Sequence, residues 1–268
     1  MAFFKHLLIK KNLLNNNAFI WNSEKKTIYP IQNINTINLD LLVCIERQKK
    51  TLLENTRNFS IGNFTNNALL WGARGNGKST LIKSIFATLS SEYNNLRLIQ
   101  LNKNNIFDIE QIYKLISKFS QMRFIIFIDD LSFEKIDSDY KIIKSTLDGS
   151  IQNQPTNIVL YITSNRRHLM PRDMIENERS SAIHTDESVE EKISLSDRFG
   201  LWIGFHNLSQ NEYIDIIKAY CDYYKINYSK KDINNGIKWS LQRGNRNGRT
   251  ASQYIIELAA SKNLKINF

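Results

Sequence analysis

Cysteine is nearly missing from this chain: Cys44 and Cys221 are the two it has, far apart and in no paired motif. That excludes a disulfide framework and a thiolate zinc site. The four histidines, His6, His168, His184 and His206, show no metal-ligand spacing. Long apolar runs are also lacking. The stretch from Phe3 to Ile9 is too short and too interrupted for a membrane span. No small-residue cleavage site follows it, so no signal peptide is expected and the expected setting is soluble, reducing and cytoplasmic. No internal repeat is present. No helix-turn-helix or zinc finger supports sequence-specific reading of nucleic acid. Only 3 prolines and 10 glycines occur in 268 residues. With abundant Asn, Ile and Lys, that scarcity matches the composition of an AT-rich genome.

What is present is enough apolar material for a core, 42% of residues, and a formal charge of +10 from 36 Lys and Arg against 26 Asp and Glu. This length suits one large domain or two small ones. Such a charge suits an anionic partner; compositional drift accounts for it equally well.

The chain is organised around Gly72-Ala73-Arg74-Gly75-Asn76-Gly77-Lys78-Ser79. An apolar run, residues 68–71, precedes it. A helical pattern follows, with Leu81, Ile82, Ile85, Phe86 and Leu89 on one face. Strand, glycine-rich turn and helix with this spacing make a P-loop. Glycines let backbone N–H groups turn toward phosphate oxygens, and the helix N-terminus adds partial positive charge. Lys78 would reach the β- and γ-phosphates of ATP, Ser79 would hold Mg²⁺, and residues 72–80, ending at Thr80, would form the cofactor-binding loop.

Residues 1–38 read as an N-terminal extension: a weakly amphipathic helix, then an irregular Asn-rich segment. Residues 33–38 alternate, as a short strand or a connector. Phe3 to Leu14 would pack against the body; a partner or membrane-surface role is the alternative. Leu39 to Phe59 reads as an entry loop and a helix, with Leu42, Val43 and Ile45 placed to touch adenine. Residues 96–101 form a second strand. Asp108 and Gln111 fit a capping box at the next helix.

Arg123 to Ile128 is a continuous apolar run ending in Asp129 and Asp130, which suits a parallel strand buried on both faces. Carboxylates at that end of a parallel sheet meet ligand. This looks like a Walker B element, with Asp129 on Mg²⁺ and Asp130 on the attacking water. A helix from Ser138 and a fourth strand, residues 157–163, lead to Asn165; the resemblance to P-loop ATPases, many of which carry a polar amide at this strand tip, implies that it would position water beside the γ-phosphate. Residues 166–190 are polar and charge-mixed. They read as a solvated insertion, or as a basic contact through Arg166, Arg167, Arg172 and Arg179. A fifth strand, 201–205, closes the α/β body. Helices from Ser209, Asp232 and about Arg249 complete the chain. The expected fold is α/β, a five-stranded parallel sheet over residues 39–205 followed by a helical lid over 206–268.

Taken together, these motifs resemble the AAA+ ATPases over roughly residues 39–268. The box Ser194-Leu195-Ser196-Asp197-Arg198-Phe199 and the arginines of Arg243-Gly244-Asn245-Arg246-Asn247-Gly248-Arg249 stand in that superfamily's order. More narrowly, residues 69–75, 129–134, 163–169 and 190–202 resemble a bacterial AAA+ family known as domain of unknown function eight-one-five. The resemblance implies that Arg198 is an arginine finger acting on a neighbouring copy, hence a homo-oligomer. It implies that Arg249, or alternatively Arg246, is the lid arginine. Asp130 departs from the usual Glu, so hydrolysis is expected to be slow or assisted by Glu134. Cys44 stands where the entry segment usually has Gly, which bears on the adenine pocket. The expectation is an Mg²⁺-dependent ATPase that remodels an unknown protein or nucleic-acid partner. The alternatives are a non-hydrolysing ATP-gated switch and a nucleic-acid-associated loader.

Overall fold

The computed structural model describes residues 2–133, 138–148, 155–169, 195 and 198–266. Helix α1 (Ala2–Asn15) leads into a hairpin of β1 (Ala18–Asn22) and β2 (Thr27–Pro30). After a short 3-10 turn, Leu39–Leu41, come α2 (Glu46–Ser60), β3 (Ala68–Gly72), α3 (Lys78–Glu92) and β4 (Leu96–Leu101). Then follow α4 (Ile109–Ile116), β5 (Arg123–Ile128), α5 (Ser138–Asp148), β6 (Ile158–Ser164) and β7 (Leu201–Phe205). The helices α6 (Gln210–Tyr223), α7 (Lys230–Gln242) and α8 (Gly248–Ser261) end the described chain.

The sheet has seven strands rather than the expected five, in the order β2-β1-β4-β5-β6-β3-β7. The five expected strands are there and parallel to their neighbours. The other two come from the N-terminal segment: β1 adds parallel to β4, and β2 pairs antiparallel with β1. Their signal was the alternation that buries Phe19 and Trp21 while Ile20 points outward, with a polar turn between two short apolar runs. Residues 33–38, the stretch that alternates in sequence, form no strand.

Side chains of β5 show how the layers form. Phe124, Ile126 and Ile128 join a core under α1, α4 and α5. Ile125 and Phe127 join the opposite core under α2 and α3. A strand buried on both faces needs an unbroken apolar run, and that is what the sequence supplies. Ile9 and Leu13 of α1 are buried in the first of these cores. A third core belongs to α6 and α8, where Tyr213, Ile217, Ala251 and Ile255 are buried. Leu41 joins that third core, whereas Leu42 and Ile45 join the second. The entry segment therefore spans the seam between sheet and helices.

Asp108 does not cap α4; it makes no side-chain bond to that helix. It is fully buried and accepts from Trp21 Nε1 at 2.8 Å and Lys26 Nζ at 2.6 Å. Those bonds hold its carboxyl below the usual range against the opposing effect of burial, and fasten the hairpin to the sheet. Ser209 and Glu212 form a capping box on α6. The helix expected from Asp232 starts earlier: Ser229 is its cap and Asp232 the third-position partner.

Candidate functional site

The C-terminal ends of β3, β5 and β6 meet one cavity of about 760 Å³ between the sheet and α8. The loop after β3 forms its floor. Gly75 and Gly77 have φ of +79° and +88°, a region that side chains other than glycine's enter at a cost. Gly72 has a different task. Its φ is +126°, and a Cβ there would lie 1.9 Å from the Phe205 carbonyl oxygen. The first glycine thus lets β3 pass close to the end of β7. Gly72→Ala should cost about 2–4 kcal/mol, from backbone strain and a contact with main chain that cannot move aside. Urea unfolding measures it; a loss below about 1 kcal/mol would contradict this packing.

Lys78, 7% exposed, donates to the carbonyls of Gly72 and Ala73, both at 2.8 Å, and to Asn165 Oδ1 at 3.2 Å. Asn165 Nδ2 in turn donates to Asp130 Oδ1. Ser79 Oγ donates to Asp129 Oδ1 at 2.5 Å. Thr163, which sequence reasoning passes over, donates to that same oxygen at 2.5 Å and accepts from the Asp130 backbone N–H at 2.9 Å. Its signal is a hydroxyl inside a buried strand, where a polar group needs a partner. Asp130 sits at φ +54°, in the left-handed region that Asp tolerates better than most residues.

Burial pushes the Lys78 ammonium down to about 8; Asp130 and Asp129 oppose that shift, while Arg74 and Arg249 add to it. In the free chain Lys78 is therefore neutral above about pH 8, whereas a bound polyphosphate would keep it charged. Nucleotide affinity should be flat below pH 8 and fall about tenfold per unit above it, because binding must then take up a proton. Calorimetry at pH about 9 in two buffers of different ionisation enthalpy reads that proton; equal heats in both would refute it.

Thr80 lines the cavity beside Ser79, as do Arg74, Gly75, Asn76 and Gly77. Gly72 and Ala73 do not line it; they act through the carbonyls that hold Lys78. Leu42, Val43 and Ile45 form an apolar wall, joined by Leu208, Ile216 and Tyr220 from the helical side. Cys44 takes φ +64°, the conformation a glycine adopts freely, so the departure from Gly is met by a strained backbone. Its thiol lies 3.8 Å from the Glu212 carbonyl. Burial, then Glu46, Glu212 and Asp215, push it up to about 11, leaving an unreactive thiol rather than a nucleophile.

Arg249 lines this cavity from the first turn of α8, and its backbone N–H donates to the Gly75 carbonyl at 3.1 Å. Asn247, which caps α8, donates to the Arg74 carbonyl at 3.1 Å. The helical end of the chain thus grips the loop directly. Arg246 does not line this cavity but a neighbouring hollow. Arg198 lies just before β7 and does not line the cavity either. Glu134, Asp197 and residues 170–194, with Arg172 and Arg179, lie outside the described residues. Arg167 is exposed and stacks over Trp71 and Trp202, 5.2 and 4.8 Å from their ring centres. It is fixed by the body's own aromatics. Among the described residues no helix is long and apolar enough to cross a membrane.

Comparison with known proteins bears on this geometry. The model of a family described as "Protein of unknown function (DUF815)" matches residues 14–262. Among solved structures, the Thermotoga maritima RuvB Holliday junction branch migration motor is similar over 83% of this chain, at 19% identity and a TM-score of 0.52; this chain spans 65% of its length. Domain III of the Thermotoga maritima replication initiation protein DnaA is similar over 86% of this chain and 93% of its own, at 12% identity and 0.53. The Aeropyrum pernix Orc1 protein in complex with DNA is similar over 84% of this chain and 64% of its own, at 16% identity and 0.55. No curated protein matches the chain. At such identities the likeness is one of fold, and the shared fold is that of the AAA+ P-loop ATPases.

Proposed function

This chain belongs to the DUF815 family, and we propose that it is an Mg²⁺-dependent ATPase that works as a homo-oligomer and remodels a macromolecular partner. One observation carries the reading: Lys78, Asn165 and Asp130 are hydrogen-bonded in series on the wall of one cavity. Beside them lie a hydroxyl and a carboxylate 2.5 Å apart, Ser79 and Asp129. Hard oxygen donors of these two kinds suit Mg²⁺. When bound, that ion supplies charge neutralisation at the phosphates.

The chain's own residues do the rest. Lys78 would turn its donors from Asn165 to the β- and γ-phosphate oxygens. That frees Asn165 Oδ1 to accept from the attacking water and orient it. Asp130, held by Asn165 Nδ2, would take the water's proton. The wall of Leu42, Val43 and Ile45 would take the adenine. Arg249 would read the phosphates from α8 and pass their loss to residues 206–268, which serve as the lid on the body of residues 39–205. Arg198 of a neighbouring copy would supply a planar, permanent positive charge to the transition state. Asp130 is one methylene shorter than the usual Glu, which favours slow turnover.

The test is phosphate release from ATP and Mg²⁺ by the purified chain beside Asp130→Asn. Removing the base should lower turnover about 10²-fold or more with nucleotide affinity nearly unchanged. Turnover of the unaltered chain at the protein-free background would rule out hydrolysis and leave the ATP-gated switch. Nucleic acid is the second reading of the partner. It is favoured by the charge of +10 and by the likeness in fold to Orc1, whose structure is a complex with DNA. Affinity that is negligible at low salt would exclude it.

A further inference from the structure

Past Arg249 the nucleotide cavity gives way to a second hollow of about 780 Å³, between the phosphate loop, the β7–α6 connection and the turn joining α7 to α8. Arg74, Arg243, Arg246 and Arg249 line it, and among the described residues no carboxylate does. None of the four is in an ion pair among the described residues. Four cations gathered without a counter-charge make a field that concentrates anions. Two details constrain two of the guanidinium groups. Arg243 lies flat on Trp239, 3.4 Å from the ring centre, so its stacking leaves the N–H edge for a partner. Arg246 Nε is buried and has no acceptor among the described residues; a buried charged donor left unmatched is costly. The remaining lining is mainly polar, with Asn207, Asn245 and Gln253 offering amides.

We propose that this hollow is a second phosphate-binding site, taking a ligand that carries at least two phosphate groups and is distinct from the nucleotide in the main cavity. Planar guanidinium groups meet phosphate in paired, parallel hydrogen bonds, which fits four arginines better than four lysines. Such phosphates come from a nucleic-acid backbone or from a free polyphosphate. The site stands apart from hydrolysis through Arg243 and Arg246, which line this hollow and not the main cavity.

The full chain is first saturated with ADP and Mg²⁺, which fills the main cavity. Binding is then measured for a labelled single-stranded oligothymidylate of about 20 nucleotides, for tripolyphosphate and for a polyglutamate peptide. The oligonucleotide or tripolyphosphate should bind, and polyglutamate should bind much more weakly. The tighter of the two phosphate probes names the source. Arg243→Ala with Arg246→Ala should weaken binding about tenfold or more and lower the slope of log Kd against log salt by about two. Exposed Arg243→Ala alone should show part of that loss, which covers failure of the double variant to fold. Arg243→Lys with Arg246→Lys should fall between, keeping the charge and losing the fork. Four results would overturn the site: no phosphate probe bound at low salt; unchanged binding in the double variant; loss of binding on ADP saturation, which would make the hollow only the rim of the main cavity; or polyglutamate bound as tightly as the phosphate probes.

Discussion

Lys78→Ala should lower kcat/KM for ATP by about 10²–10³ and weaken ATP binding as well. The structure gives the reason in three contacts. The ammonium bridges the loop carbonyls of Gly72 and Ala73 and reaches Asn165. Under the proposed function, alanine would remove the charge that meets the phosphates and also the link that would carry their arrival to Asn165. Lys78→Arg should not rescue it, because a guanidinium is larger than the ammonium that fits this site, only 7% exposed. Phosphate release and nucleotide titration on both variants check this. Turnover of Lys78→Ala within about threefold of the unaltered chain would end the ATPase reading.

The second large effect is that of Arg198→Ala, with a loss of about 10³–10⁵ in turnover and little change in nucleotide affinity. Arg198 does not line the cavity of its own chain, so under the proposed function its charge would act on a neighbour's site. Mixing experiments separate that from a structural role. Arg198→Ala chains keep an intact cavity, and Asp130→Asn chains keep the arginine. Each preparation alone should be inactive, and an equimolar mixture should recover part of the activity. A mixture as inactive as its components would place Arg198 outside the mechanism, or within its own subunit.

The expectations that stand on local pattern and those that do not divide along physical lines. The P-loop, the helix after it and the strand ending at Asp129 can be read directly. Each is fixed by neighbouring residues: glycines that permit φ beyond +70°, an apolar face at helical spacing, and an unbroken run buried on both sides. Asp108 departs from expectation for the opposite reason. A capping box is a local signal, but its real partners, Trp21 and Lys26, are 87 and 82 residues away. The same distance hides the outer strands. A short hairpin in Asn-rich surroundings gains its stability from β4, and nothing within the hairpin names that edge. Thr163 and Asn247 escape a reading of motifs because their work is to hold others: one hydroxyl between two acidic residues, one amide on the Arg74 carbonyl.

The indoles of Trp71 and Trp202 lie 5.6 Å apart with the Arg167 guanidinium over both. Trp71 is the residue immediately before Gly72, and Arg167 lies two residues beyond Asn165. Any shift of the phosphate loop against the tip of β6 must change how that cation sits on the rings. These are two of the four tryptophans in the chain, so the protein carries its own optical probe. Its intrinsic fluorescence should follow nucleotide arrival and departure in real time, without a dye and without waiting for phosphate to appear.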